Sequence, residues 1–350
     1  MGRLVFAIPG DISARTGGYG YDRRLLAELP PIGVEAVHLP LPGRFPDAGP
    51  QDVAAALAAM QQALQPGGAL LIDGLAYGAL PAEAIGALAA PVIALCHHPL
   101  CLETGLAPGR VEFLRQSERA ALALARHVIV TSAHTAEILR RDFDIAPDRL
   151  TVAPPGTDRA PRARGSGGAP LLLAVGAIMP RKAFDVLVEA LGGLTELDWR
   201  LQIVGSRALH PVIVAALEAQ IKALGLESRI ELAGEFSGGE IDAIYAASDI
   251  FVSASLFEGF GMALAEAMTR GLPILTTTGG AAAQTVPDAA ALKVPPADVA
   301  ALREALRRLL CDDGLRRRLA QASWRAGQGL PRWRESARLV AAVFRATIGG

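Results

Sequence analysis

Short apolar runs alternate with helix-period segments from one end of this 350-residue chain to the other, and that alternation leaves few folds open. In the first half the runs are RLVFAIP (3–9), VEAVHL (34–39), ALLIDG (69–74), VIALCH (92–97), HVIVTS (127–132) and LTVAPP (150–155). Helical segments such as DVAAALAAMQQAL (52–64) and EFLRQSERAALALA (112–125) lie between them. Parallel strands need a long crossover, usually a helix, so the alternation reads as βαβ units around a parallel sheet.

At 158–170 the pattern stops. DRAPRARGSGGAP is rich in Pro, Gly and Arg and has no apolar period, the composition of a connector between domains. The alternation then restarts with LLLAVG (171–176), RLQIVG (200–205), RIELAG (229–234), DIFVSA (249–254), PILTTT (273–278) and AALKV (290–294). The expected architecture is α/β, two Rossmann-like doubly wound domains facing each other across a cleft, with domains at 1–160 and 161–330. In open sheets of this kind ligands bind beyond the carboxyl ends of the strands.

A formal net charge of −1 argues against nucleic acid as a partner, since such binding rests on a basic surface. Cys96, Cys101 and Cys311 are too few and too irregularly spaced for a disulfide framework, so reduced thiols in a cytoplasmic protein are expected. The N-terminal MGRLVFAIPGD reads as a first strand and a turn, not a signal peptide. No apolar stretch is long and clean enough to span a bilayer.

The stretch LFEGFGMALAEAM (256–268) puts two carboxylates in an apolar helical segment. Over eight helical residues Glu258 and Glu266 would rotate about 80° out of phase, so they share no helical face. Gly259 and Gly261 place the helix start after Glu258, with Glu266 about two turns in. The glycines allow backbone to approach a ligand, and free amides at the helix start suit a phosphate. By spacing alone, a surface pair of Glu266 with Arg270 and a dipole-stabilising Glu258 account for the same residues.

The longer segment SLFEGFGMALAEAMTRGLPILTT closely resembles the E-x7-E region of retaining family 4 glycosyltransferases of GT-B fold. The resemblance implies that Glu258 lies near the donor sugar and that Glu266 binds the nucleotide ribose, with Gly259, Phe260 and Gly261 between them lining the donor site. LLLAVGAIMPRKAFDVLVEAL (171–191) is similar to the family's V-G-x-x-x-P-R-K-G segment, in which Arg181 and Lys182 would reach the donor diphosphate. Ala177 stands where many members carry an arginine, which leaves the phosphate to Arg181 and Lys182. ELAGEFSGGEIDAIYAASDIFVSAS (231–255) resembles the base-binding loop and helix, with main chain near Glu235 and Phe236 against the nucleobase. TTTGGAAAQTVPD (276–288) departs from the common G-G-x-x-E pattern.

In the first half, ARTGGYGYDRRLLAEL (14–29) lacks the spacing of a dinucleotide fingerprint but matches the family's Gly-Gly loop, through Gly17 and Gly18. In ALCHHPLCLETG (94–105), His97 matches the family's active-site histidine, and a histidine there orients hydroxyls or shuttles protons. His98 and Glu103 are acceptor-side candidates, Glu103 alternatively capping the next helix. The neighbouring cysteines suggest a metal, but consecutive side chains on a strand point to opposite faces. The resemblance also implies that 331–350 forms a helix, roughly 333–346, packing back on the N-terminal domain.

The resulting expectation is a metal-independent retaining hexosyltransferase with no cofactor. Its donor would be a UDP-, GDP- or ADP-linked sugar held mainly by the second domain. Its acceptor would be a glycan, a lipid-linked carrier or a small molecule held mainly by the first. Other readings are a sugar-nucleotide epimerase or phosphorylase of the same fold, a Rossmann oxidoreductase, and a non-catalytic nucleotide-binding scaffold. The arginine-rich REALRRLLCDDGLRRRLAQASWR (303–325) allows peripheral contact with the inner face of a membrane, though solvated faces of two helices explain it more simply.

Overall fold

A computed structural model describes residues 2–349 and divides them into two units. The first holds the described residues up to Ala14, Gly18–Gly156 and the segment from Pro331 on; the second holds Arg15–Gly17 and Thr157–Leu330.

The sheet of the first unit contains β1 (Leu4–Pro9), β2 (Ala36–Leu41), β3 (Ala69–Asp73), β4 (Val92–Cys96), β5 (His127–Val130) and β6 (Leu150–Val152). They run parallel in the order β2-β1-β3-β4-β5-β6. Every residue of β1, β3 and β4 is buried, as expected for strands covered by helices on both faces. The strand order reverses between β1 and β3, and the register of Asp73 against Leu95 brings the carboxyl ends of β3 and β4 level.

The second unit repeats the plan with β7 (Leu171–Val175), β8 (Arg200–Val204), β9 (Ile230–Gly234), β10 (Ile250–Ser253), β11 (Ile274–Thr277) and β12 (Ala291–Val294). Its parallel order is β12-β11-β10-β7-β8-β9, the dinucleotide-fold order with its reversal between β7 and β10. One core packs Trp199, Leu187 and Leu306 on one face of this sheet, and another packs Tyr245, Phe251 and Met268 on the other.

The segment expected as a free connector is tied to the second unit. The Ala163 amide donates to the Arg270 carbonyl at 2.8 Å, and the Arg164 amide to that of Ala246 at 2.8 Å. The Asp249 carboxylate accepts from the Ser166 amide at 3.3 Å. The boundary therefore falls at Gly156, four residues before the expected one. The C-terminal helix Trp333–Gly349 belongs to the first unit and buries Trp333, Ala337, Val340, Ala341 and Phe344, one stripe at helical spacing. It starts where Gly156 leaves no room for a side chain, since a Cβ there would lie 2.1 Å from the Trp333 nitrogen. No helix among the described residues is long and apolar enough to cross a membrane.

Candidate active site

The loops leaving β7 and β10, on either side of the reversal in the second sheet, carry the residues expected at the donor. After β7 the chain makes a short 3-10 turn, Pro180–Lys182, and the helix Phe184–Gly192 follows. Lys182 folds back over Gly176, where a Cβ would meet its Cε at 2.8 Å. Its Nζ donates to Glu258 Oε1 at 2.6 Å. Arg181 donates to the Phe257 carbonyl at 2.9 Å and stands 3.7 Å from Glu258 Oε2. The Ser255 hydroxyl donates to the same Oε1 at 2.6 Å. Glu258 is buried, which by itself would raise its pKa; the charges of Lys182 and Arg181 and the hydrogen bonds outweigh that and hold it below the usual carboxylate value. The carboxylate is therefore ionised at neutral pH, with two donors on one oxygen.

The helix that follows is Met262–Thr269. Gly261 precedes it with φ of 92°, and a Cβ there would meet Leu264 at 2.8 Å. That left-handed residue delays the helix start, so Glu266 lies just over one turn in, not two. Gly259 is half-buried in the bend after Glu258, and the Phe260 carbonyl accepts from the Thr285 hydroxyl at 2.6 Å. Glu266 accepts from the Tyr245 hydroxyl at 2.9 Å. Burial raises its pKa, and the Tyr245 hydrogen bond and the Arg270 charge only partly offset this. The surface ion pair with Arg270 does not form. Arg270 donates to the Glu266 main-chain carbonyl at 3.0 Å, pairs with Asp242 and stacks over Tyr245 at 4.4 Å. Glu235 and Phe236 lie between β9 and the helix Gly238–Ala247, with the Phe236 carbonyl accepting from Arg15.

Gly279 and Gly280 support Glu258 from behind. The Glu258 amide donates to the Gly279 carbonyl at 3.2 Å, and the Ala281 amide donates to the Glu258 carbonyl at 2.7 Å. This segment departs from the G-G-x-x-E pattern, and what it supplies is backbone packed against Glu258.

Gly17, which groups with the second unit, and Gly18, which groups with the first, are not a free loop but the first turn of the helix Gly17–Glu28. Gly18 lies against His97, whose ring would be 3.5 Å from a Cβ there. His97 and His98 follow β4 and diverge. His98 Nε2 is 3.4 Å from Glu103 Oε2, and Glu103 ends the 3-10 turn Leu100–Leu102; it does not cap the next helix, which starts at Pro108. His97 Nε2 lies 3.4 Å from Asp22 Oδ1 and 3.3 Å from Asp73 Oδ2. The donor atoms of these three residues fall within 4.8 Å of one another, a spacing that calls for a positive charge among them. Cys96 and Cys101 are buried free thiols outside this group. Sequence reading named neither aspartate. The available signal was an acidic residue at the buried face of one helix and another at the end of an apolar strand.

Two family models match the chain: Glycosyltransferase Family 4 over residues 17–160 and Glycosyl transferases group 1 over 158–325. The MMP alpha-(1->4)-mannosyltransferase of Mycolicibacterium hassiacum is 30% identical over 279 residues, covering 74% of this chain and 66% of that protein. The D-inositol 3-phosphate glycosyltransferase of Xylanimonas cellulosilytica is 30% identical over 245 residues, covering 65% and 58%. The alignments thus span just under two thirds of these relatives' own length at most. Among solved structures, sucrose-phosphate synthase from Thermosynechococcus elongatus superposes with a TM-score of 0.84 at 21% identity, covering 99% of this chain and 100% of that one. Anabaena Alr3699/HepE in complex with UDP and glucose superposes with a TM-score of 0.75 at 17% identity, covering 98% and 99%. These likenesses identify the two-domain α/β arrangement as the GT-B fold.

Proposed function

The chain belongs to the group 1, family 4 glycosyltransferases, and on that premise we propose a retaining enzyme that moves a hexose from a nucleotide-diphosphate sugar to an acceptor hydroxyl without a metal ion. The observation that carries this reading is the group formed by buried Glu258 with half-buried Lys182 and Arg181 beside the strand reversal of the second sheet. Breaking the bond between a sugar and a nucleoside diphosphate leaves negative charge on the diphosphate, and charges fixed in advance stabilise it best. Lys182 and Arg181 are such charges, and the free amides at the start of Met262–Thr269 add to them.

Glu258 is committed to Lys182 and Ser255 and held ionised. A carboxylate so engaged is a weak nucleophile and a poor proton donor. It suits steadying positive charge on the sugar, which favours front-face transfer over a covalent sugar–enzyme intermediate. Glu266, steadied by Tyr245, is the acceptor for ribose hydroxyls, and main chain at Glu235 and Phe236 is the surface for the base. The solved complex of Alr3699/HepE with UDP-glucose makes UDP-glucose the first donor to try. The relatives' names include phosphorylated small molecules, so a polyol or sugar phosphate is the first acceptor to try against the first unit, beside glycan and lipid-linked ones.

The test is a thermal-shift panel of UDP, GDP, ADP and NAD, with Mg²⁺ or with EDTA, on the wild type and on Glu266→Ala. Selective stabilisation by one nucleoside diphosphate, equal in EDTA and lost in the variant, is expected. Stabilisation by NAD alone, by nothing, or only with Mg²⁺ overturns the proposal. With the donor so identified, transfer to an acceptor with retained anomeric configuration is the expected product; an epimerised nucleotide sugar without acceptor would replace this reading.

A further inference from the structure

The placement of His97 limits what it can do for the reaction proposed above, and the inference drawn from it rests on that reading. One nitrogen of the ring, Nε2, is buried and faces two carboxylates, Asp22 at 3.4 Å and Asp73 at 3.3 Å. A neutral imidazole has one N–H at most to offer there, and two buried carboxylates that close together repel. Asp22 is fully buried, and among the described residues neither its oxygens nor His97 Nε2 meets hydrogen-bond geometry with any partner, so charge proximity joins them. Asp73 is fixed by the Leu75 amide, which donates to its Oδ1 at 2.9 Å and leaves Oδ2 for His97. The ring plane is set by Tyr21, packed edge to face at 5.4 Å and 86°, and by Gly18. The His97 carbonyl accepts from the Thr131 hydroxyl at 3.2 Å, so the main chain is held as well.

We propose that Asp22 and Asp73 are positioning residues that keep His97 as a fixed imidazolium, which presents Nδ1–H as a hydrogen-bond donor to a substrate oxygen and does not act as a general base. With Nε2 buried, the 19% of the side chain that stays exposed belongs to the rest of the ring, where Nδ1 is the one polar atom. A ring already protonated cannot collect the proton that the acceptor hydroxyl loses, so that proton goes to another base.

Tyr19, Tyr21, Asp22 and Arg23 come from the helix Gly17–Glu28, Asp73 from β3 and Cys96 from β4. Arg23 is turned away, donating to the carbonyls of Ile12 and Ala14. Burial alone would lower the His97 pKa; the carboxylates of Asp22 and Asp73 outweigh it and hold the ring well above its ordinary value. Burial and the Asp73 charge push Asp22 upward in turn, with His97 restraining the rise.

The test is nitrogen-15 NMR of the histidine side chains in the full-length, nucleotide-free protein, with His97 assigned by its loss in His97→Gln. Both ring nitrogens of wild-type His97 should remain protonated through pH 8. Asp22→Asn and Asp73→Asn, each checked by its melting curve, should lower the titration midpoint by about 1 pH unit or more, the effect of losing one adjacent charge. In transfer assays the same variants should lose kcat progressively as pH rises through the new midpoint, with nucleotide affinity unchanged. A wild-type His97 that is neutral at pH 7, a midpoint unmoved in both variants, or a stoichiometric divalent ion found by elemental analysis and lost in Asp73→Asn overturns the proposal. The titration needs no donor and no turnover. Failure of the transferase reading would therefore appear in the nucleotide panel while the NMR result still decides the charge of His97.

Discussion

Replacing Gly280 with alanine should disable Glu258 without altering its carboxylate. Gly280 has φ of 66°, and a Cβ there would lie 2.4 Å from the Glu258 carbonyl oxygen and 2.8 Å from its nitrogen. Holding an alanine in that left-handed region costs roughly 1–2 kcal/mol. Reaching ordinary contact, which begins at 3.4 Å, means parting the two backbones by 1.0 Å (3.4 less 2.4). The shift works against the bonds Glu258 makes to Gly279 and Ala281. It moves the carboxylate relative to Lys182, whose bond to it is 2.6 Å long. A displacement of about 1 Å at a reacting centre costs on the order of 100-fold in rate. The assay is kcat/KM with the donor found in the nucleotide panel, beside a melting curve. The expected result is a loss of about 100-fold in kcat/KM, with the melting temperature lower by several degrees, at about 2–4 °C per kcal/mol, and nucleotide binding through Glu266 retained. Wild-type turnover in Gly280→Ala would refute the reasoning, and so would a loss explained entirely by failure to fold.

Three further outcomes follow from buried groups. Lys182→Met strands a buried carboxylate and should cost about 3 kcal/mol in urea melts, with Lys182→Met/Glu258→Gln recovering more than half of it; an additive double variant would contradict the pairing. Glu118 is buried, with Oε2 accepting from the Leu100 amide at 2.8 Å, and burial raises its pKa from 4.5 to about 8. A pKa raised in the fold means stability present in full below about 4.5 and lost as pH climbs through about 8. The window of about 3.5 pH units, at about 1.4 kcal/mol each, sets a ceiling of about 5 kcal/mol. Glu118→Gln should therefore match the wild type at pH 5 and exceed it at pH 9; equal slopes of stability against pH would exclude an elevated Glu118. Gly156→Ala forces a side chain into the main chain of Trp333 and should destabilise by about 1–3 kcal/mol through overpacking, visible as a lower melting temperature; an unchanged one would mean that the C-terminal helix is not seated as described.

Both sheets are legible in the sequence because parallel strands buried on two faces leave unbroken apolar runs, such as LVFAIP and ALLID. Glu258, Glu266, Arg181 and Lys182 are legible because they sit in motifs contiguous in the chain. What surrounds them is not. Asp22, Asp73 and His97 are brought together only by the strand reversal, and nothing in the spacing of 22, 73 and 97 marks them as neighbours. Gly279 and Gly280 matter through the room they leave for the main chain of Leu256 and Glu258, which the approach of the loops after β10 and β11 decides. The helix does start after Glu258, but the depth of Glu266 in it is not legible, because Gly261 takes a left-handed conformation that composition alone does not predict. The connector at 158–170 lacks an apolar period, yet Asp249, through the Ser166 amide, and the carbonyls of Ala246 and Arg270 hold it down.

The contact of Gly156 with Trp333 has a bearing on modularity. The first unit is a discontinuous piece of chain closed by its own last helix, and residues 157–330 are inserted between its two stretches, leaving and returning beside the close approach of Gly156 to Trp333. Arg159 and Gln328 bond to each other at the corresponding ends of the insertion. Apart from Arg15–Gly17, which group with it, the second unit is one continuous stretch with neighbouring ends, and such a stretch can be exchanged as a cassette. Grafting 157–330 from a relative would carry the residues proposed for the donor, Arg181, Lys182, Glu258 and Glu266, as one block, while the His97 group stays with the frame. Truncation after Gly156, by contrast, would strip the frame of the helix that covers Tyr21 and Arg24 through Trp333.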